Sequence, residues 1–522
     1  MTDLEQRLKG LSPAARRLLL DAHGGSLSEA LRERIRLHKP EMVSLLNGLQ
    51  SRQTAAVEAG CGGTAEERVP LSYAQQRMWF LAQMEPASGA YNIAVALRLD
   101  GQLDVALLQE ALNRVVARHE ALRTTVAVEQ EHAVQWVHPV IDAGIEVEVL
   151  EPAPPSEHEA AVRRRLEQEA LRPFDLERGP LLRALLLRLA ATKHVLLLTM
   201  HHIIGDGWSR GVLNRELSVC YNALVRGTDP VLPVLRVQYA DYARWQRDYL
   251  HGPEMQRQLD YWKSRLDGLE QLNLPIDKPR PAQLSGRGDS VGFSLPHELS
   301  EALYALSRRH GVTPFMLLLA GFAVLLYRYS GQTDIAVGTP IAGRRRKEFE
   351  ELVGFFVNTL VMRTDLAGDP PFTEVLRRVR DTALDAYDHQ DLPFERLVEE
   401  LAPARDRSRN PVFQVMFAFL NVPESPLQLE GLEVSRFPMD LRNELFDLSL
   451  TMQMTSDGLV GTFSYSSDLF ETGSIERMAG GFRHLLESVV ADPARPVHAL
   501  AMLDDREPVS YTHLTLPTNR EV

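Results

Sequence analysis

The chain has 522 residues, with 44% hydrophobic and 24% charged side chains, 33 Gly and 31 Pro, a balance that excludes collagen-like, low-complexity and wholly disordered classes. Its formal net charge of −13 is wrong for a general nucleic-acid binder, whose phosphate contacts need basic surface. Two cysteines, Cys61 and Cys220, supply neither a disulfide framework nor a four-thiolate zinc site. The N-terminus MTDLEQRLKG lacks a signal-peptide core, and the longest apolar run, Phe315 to Tyr327, falls short of the roughly 20 residues a bilayer needs. These features point to a soluble, cytoplasmic protein.

Residues 1–50 carry eight Lys/Arg against six Asp/Glu, and their second half reads as two short helices. Ser26 and Glu29 make a capping box, Leu27, Leu31 and Ile35 recur every four residues, and Pro40 suits the first turn of a second helix. Residues 51–68, without periodicity, read as a linker. From Pro70 to about 505, helical and strand patterns alternate, as in an α/β protein. Helices are expected over 104–118, 157–171, 208–224, 300–310 and 314–329. Strands are expected over 181–189, 194–200, 335–338, 355–363, 412–420, 446–454 and 459–465. The Pro-rich stretch 275–281 is the expected internal division. The last residues, VSYTHLTLPTNREV, break abruptly from the preceding composition and read as a non-native or truncated tail over 506–522.

The sharpest feature is KHVLLLTMHHIIGDGWSRGVLNREL at 193–217. An apolar strand ends in His201-His202, a short loop follows, and Asp206-Gly207 opens a helix. Successive strand side chains face opposite sides, so one histidine faces a cavity and the other is held by packing. Asp206 stands where a helix N-cap belongs, and Gly207 permits a tight turn. A metal site is disfavoured, because adjacent histidines at a strand end diverge and no third imidazole follows at i+4. Gly207-Trp208-Ser209-Arg210-Gly211 matches the nucleophile-elbow pattern G-x-S-x-G. The strand, however, does not run straight into the first Gly and no oxyanion loop of the HGGG type occurs. A serine hydrolase or thioesterase using Ser209 is therefore the second reading, and a catalytically silent carrier-binding module the third.

HHIIGDG resembles the HHxxxDG signature of the condensation domains of nonribosomal peptide synthetases. LSYAQQRMWFLAQMEPASGAYNI (71–93), RHEALRTTV (118–126), YADYARWQ (239–246), VGFFVNTLVMR (353–363), HQDLPFERLV (389–398) and RSRNPVFQVMF (407–417) are similar to that family's other motifs, in order. The chain is most similar to the class that joins an L-configured donor to an L-configured acceptor, since a heterocyclisation domain would carry aspartates in place of His201 and His202. Residues 1–50 resemble a tubulysin-type N-terminal docking domain.

The resemblance implies an α/β fold of two chloramphenicol-acetyltransferase-like lobes in a V-shaped pseudodimer, a first lobe over 69–240 and a second over 241–505. A tunnel between them would receive one 4′-phosphopantetheine thioester from each end. The cofactor would be delivered on partner carrier domains, with none bound by this chain. An upstream donor carrier on a separate subunit would be recruited through residues 1–50, and a downstream acceptor carrier would bring the amine. The resemblance implies a proton-handling role for His202, beside the backbone N–H of Gly207. His201 and Asp206 would support the site, with Arg344 as the preferred partner of Asp206 and Arg123 as the alternative. Trp208, Ser209 and Asn358 are candidates for the tunnel wall. The run Arg344-Arg345-Arg346-Lys347 reads most simply as a solvated loop, and Asp391 with Pro393 as a helix start.

Overall fold

The computed structural model describes residues 67–503 except 151–153, 402–405, 407, 421–424 and 440–442. The expected docking segment 1–50, most of the linker and the tail 506–522 lie outside the described residues. Strand β1 (Glu67–Pro70) begins inside the last two positions assigned to the linker. Ser72 then caps α1 (Tyr73–Met84) in a reciprocal box with Gln75, a signal present in the sequence as S-x-x-Q. There follow β2 (Asn92–Gly101), α2 (Val105–Arg118), β3 (Thr124–Glu129), β4 (His132–Val137), β5 (Ile145–Val149), α3 (Pro155–Ala170), β6 (Leu182–Ala190), β7 (Lys193–His201), α4 (Gly207–Val225) and α5 (Tyr239–Tyr249). In the first lobe the strand order is β12 (Leu432–Arg436), β2, β7, β6, β5, with β1-β4-β3 as a separate small sheet. Central β7 is buried from His194 to His201, which is why it reads as an unbroken apolar run rather than an alternating one.

The second lobe contains α6 (Pro253–Leu266), β8 (Gly288–Ser294), α7 (His297–His310), α8 (Pro314–Ser330), β9 (Asp334–Ile341), the single turn α9 (Lys347–Glu350), β10 (Asn358–Asp365), α10 (Phe372–Asp388), α11 (Phe394–Leu401), β11 (Val415–Leu420), β13 (Leu448–Thr455), β14 (Gly458–Ser466) and α12 (Thr472–Ala491). Its sheet order is β10-β9-β11-β13-β14-β8. Thr313 caps α8 through Met316 N–H with Pro314 in the first turn, and the helix is buried without a break from Met316 to Leu326. That burial is the reason for the longest apolar run. Among the described residues no single helix is long and apolar enough to cross a membrane.

One strand changes lobes. β12 (Leu432–Arg436), which the sequence reading did not anticipate, leaves the second lobe and pairs antiparallel with β2, from Leu432↔Gly101 to Arg436↔Leu97. Gly101 has φ +137, and a Cβ there would meet the Gly431 carbonyl at 2.5 Å, so this edge pairing needs glycine. Residues on one face of α4, spaced every fourth position, hold the approach to β12. The Asn214 amide donates to the Ser425 carbonyl (3.0 Å), Ser218 Oγ accepts from Gln428 N–H (2.9 Å), and Asn222 bonds Gln428 O and Glu430 N. Arg226 closes the series on Glu430 at 2.6 Å. Beyond β12, Phe437 is buried in the first lobe's core with Val162, Leu166, Leu185 and Leu187, under the guanidinium groups of Arg98 and Arg163.

Candidate active site at the lobe junction

His201 ends β7 opposite Asn92, and His202 begins a one-turn 3-10 segment whose backbone N–H donates to the Tyr91 carbonyl at 2.9 Å. The two rings diverge, as strand geometry requires. His201 packs inward, edge-on to Phe174 at 6.0 Å, and its Nδ1 accepts from Ile203 N–H at 3.1 Å. Burial, reinforced by the neighbouring His202, lowers its pKa to about 3, so the ring is a neutral core group. His202 turns the other way, against Phe355 of the second lobe, with ring centroids 4.8 Å apart at 63°. Its Nδ1 is buried and makes no hydrogen bond within the protein. Desolvation pushes the His202 pKa down, opposed by the Asp206 carboxylate, and the neutral imidazole is the form favoured at neutral pH. Gln75 of α1 fixes the turn from above by donating to the Ile203 carbonyl at 3.1 Å.

Asp206 is the N-cap of α4 and accepts from Ser209 N–H at 2.8 Å. The same carboxylate accepts from Phe356 N–H at 3.1 Å and pairs with Arg344 at 3.1 Å, the two side chains being 0% and 1% exposed. Ser209 Oγ completes the knot, donating to Asp206 at 2.7 Å and accepting from Gly354 N–H (3.1 Å) and Arg344 (3.0 Å). Arg344 also donates to the Leu352 carbonyl at 2.8 Å and lies 4.0 Å over the Phe356 ring. Two glycines allow the close approach. Gly343 has φ +65, and a Cβ there would lie 2.0 Å from the Phe356 carbonyl. A Cβ on Gly354 would lie 2.0 Å from the Tyr239 ring.

Several expected roles change. Arg123, the alternative partner for Asp206, instead bonds the His138 carbonyl and lies 3.4 Å from Glu120. Ser209 is fully buried and its hydroxyl is spent on Asp206, Arg344 and Gly354, with no histidine among those partners to act as the base a nucleophile needs. The Trp208 indole donates across the junction to the Glu350 carbonyl at 2.8 Å. Asn358 spends its amide on the Gln390 and Leu392 carbonyls, and its carbonyl accepts from Phe394 N–H at 3.0 Å. It is therefore Asn358 that holds the start of α11, while Asp391 pairs with Arg345 at 2.6 Å. The basic run is solvated only in part: Arg344 is in the knot and Arg346 lies 4.7 Å over the Trp245 ring, while Lys347 and the Asp391-paired Arg345 are exposed. Gly207 is exposed with no positive φ, so the turn does not demand glycine; a Cβ there would meet nothing within 4 Å. What its missing side chain leaves is open space at the head of α4, where the first backbone N–H groups have no intrahelical partner.

Sequence reasoning missed the 352–356 loop, which it assigned in part to a strand. Its apolar residues look like sheet, but β10 starts only at Asn358 because the preceding residues cross to the other lobe. The Tyr239 hydroxyl donates to the Phe355 carbonyl at 2.7 Å, and His119, 2.8 Å from the buried Glu216, accepts weakly from Val353 N–H at 3.4 Å. Among the described residues no group of three His, Cys, Asp or Glu could hold a metal.

The family model described as "Condensation domain" matches residues 65–510. The chain is 48% identical over 445 residues to one of the linear gramicidin synthase proteins of Brevibacillus parabrevis, covering 85% of this chain and 6% of that protein. Against a dimodular nonribosomal peptide synthase of Bacillus subtilis (strain 168) it is 42% identical over 453 residues, covering 84% of this chain and 19% of the relative. The chain thus spans a small part of the relatives it matches. Among solved structures, the X-domain in its complex with OxyB from teicoplanin biosynthesis superposes with a TM-score of 0.77 at 33% identity, covering 86% of this chain and 98% of that one. A four-domain nonribosomal peptide synthetase bound to AMP and glycine superposes with a TM-score of 0.76 at 26% identity, covering 86% and 35%.

Proposed function

The chain belongs to the condensation-domain family of nonribosomal peptide synthetases, and on that premise we propose that it joins an upstream carrier-bound aminoacyl or peptidyl thioester to the amine of a downstream carrier-bound amino acid. The observation that carries this reading is the buried Nδ1 of His202, which makes no hydrogen bond within the protein, on a ring turned toward the other lobe in the segment that leads to the head of α4 at Gly207. The α-amine attacks the thioester carbonyl. A C–N bond forms, the C–S bond breaks, and the pantetheine thiol leaves. His202 takes a proton from the ammonium of the tetrahedral intermediate and returns one to the leaving thiolate. The free N–H of Gly207, at the positive end of α4, supports the developing oxyanion or orients the amine. A thioester is already a good acyl donor, so most of the acceleration comes from alignment, worth up to about 7–11 kcal/mol in well-oriented systems. His201, Asp206 and Arg344 hold the frame.

We further read the domain as the L-donor/L-acceptor class, residues 69–240 and 241–505 as its two lobes, and residues 1–50 as a docking segment for an upstream subunit. The protein would act in the cytoplasm, where 4′-phosphopantetheine arrives on the carriers. The test is single-turnover amide formation with separate donor and acceptor carriers. Product that accumulates only when both carriers are loaded supports the reading. Labelling by a serine-directed phosphonate, with thioester hydrolysis in place of amide formation, would favour the hydrolase. Deleting 1–50 should slow reaction with the partner subunit but not with a small soluble thioester; equal loss with both would remove the docking role.

A further inference from the structure

The surface against which His202 rests belongs to the other lobe. Residues 352–356 leave α9 and reach the first lobe before β10 begins, and four successive residues are fastened there. Val353 N–H points to Nδ1 of His119, Gly354 bonds Ser209, the Phe355 carbonyl accepts from Tyr239, and Phe356 N–H donates to Asp206. Phe355 is clamped on both sides by these bonds. Its buried ring has one aromatic contact among the described residues, the edge-on contact with the His202 imidazole. An edge-on aromatic pair gains more than its buried area alone supplies, which favours one ring orientation over others.

We propose that Phe355 is a positioning residue for amide formation, holding the His202 ring and keeping water from one side of it, so that the imidazole is correctly placed only while the second lobe's 352–356 loop is seated on the first. This rests on the reading of His202 as the proton-handling group. The 352–356 loop brings no titratable side chain to the ring. The charged or titratable groups of the surrounding elements include Asp206 at the head of α4, neutralised by Arg344, His201 behind it on β7, the neutral Tyr239 phenol of α5 on the Phe355 carbonyl, and Tyr91 just before β2, with Arg77 of α1 beyond it. Removing the Phe355 ring leaves all of these in place and changes mainly the solvation and freedom of the imidazole.

The experiment measures two-carrier amide formation against pH, with NMR titration of 13C-labelled histidine, in the full-length chain and its Phe355→Ala, Phe355→Leu and His202→Ala variants; the last assigns the His202 signal. Phe355→Ala should lower kcat by about tenfold, short of the roughly hundredfold that a 1 Å misplacement can cost, with KM for both carriers unchanged. Its acid limb and the His202 titration should both rise toward the ordinary histidine value of about 6.5. Phe355→Leu, which keeps apolar cover, should recover most of the rate and most of the downward displacement. If Phe355→Ala fails to fold, Phe355→Leu decides alone, with a small upward move of the same two readouts expected. Unchanged kinetics, or a lost rate with an unmoved acid limb and titration, overturns the proposal. Wild-type turnover by His202→Ala would instead overturn the proposed function on which it rests.

Discussion

Two of the places where the lobes meet are held by different means. At the active-site junction, Asp206, Ser209, Arg344 and the Gly354 backbone form a buried ionic knot in which every bond has a specified direction. At the far end of α4, the crossover of 425–439 is held by α4 side chains bonded to its backbone, the Arg226–Glu430 pair, an added edge strand and one buried ring, Phe437. The first kind of contact is intolerant, because removing one partner leaves a desolvated charge behind. The second distributes its hold over many groups of modest individual worth. The helix that begins at the chemistry thus ends at the fastening, and the precision of the site rests on the knot while the permanence of the pairing rests on the crossover.

The largest effect should come from breaking the knot. Asp206→Ala strands the Arg344 guanidinium and should cost about 3–5 kcal/mol, read as a lower denaturant midpoint and poor soluble yield as well as lost activity. A stable but inactive variant would move Asp206 into the catalytic set. Phe437→Ala should cost about 3 kcal/mol, the low end for such truncations in cores, yet leave turnover per folded molecule close to wild type. A comparable loss of turnover would mean that the crossover shapes the site too.

The contrast also has a pH signature. His201 titrates at about 3 in the fold, against about 6.5 unfolded, so between these values the unfolded chain binds more protons and stability rises with pH. Acidification from pH 6.5 to 5 should therefore remove up to about 2 kcal/mol through this group, at roughly 1.4 kcal/mol per unit. Replacing His201 by Gln should flatten that part of the unfolding curve, and an unchanged slope would contradict a buried neutral ring. The smallest effect belongs to the crossover's polar face. Asn222→Ala should cost about 1 kcal/mol by urea unfolding, since the freed backbone groups of Gln428 and Glu430 lie near solvent. A cost above that of Phe437→Ala would make the hydrogen bonds, rather than the ring, the main fastening.

What could be read in advance divides along the same line. The divergence of His201 and His202, the Asp206 cap and elements such as α2, α3, α4, α7, α8, β6 and β7 follow from local periodicity and capping, which act over a few residues, whereas β2 to β5 and β8 are not anticipated. The sequence offers Arg344 as the preferred partner of Asp206 and Arg123 as the alternative, and only packing separates the two. The destination of β12 was not legible, because a short strand such as LEVSR carries no mark of which sheet edge it will join. The 352–356 loop was misassigned for the opposite reason: residues buried by the facing lobe have the same apolar signature as residues buried in a sheet. Asn358 was expected near the tunnel on its motif alone, while its amide meets backbone groups from residues more than thirty positions away.

The central claim is that the side-chain chemistry resides on His202 while His201, Asp206 and Arg344 are architecture. The most direct measurement compares His202→Ala with wild type in the two-carrier assay and in thermal unfolding of the same preparations. The account predicts that peptide formation is largely abolished while Tm stays close to wild type, because the ring faces the junction and leaves no stranded charge. Near-normal turnover, or a loss of activity matched by a collapse of Tm, would contradict it.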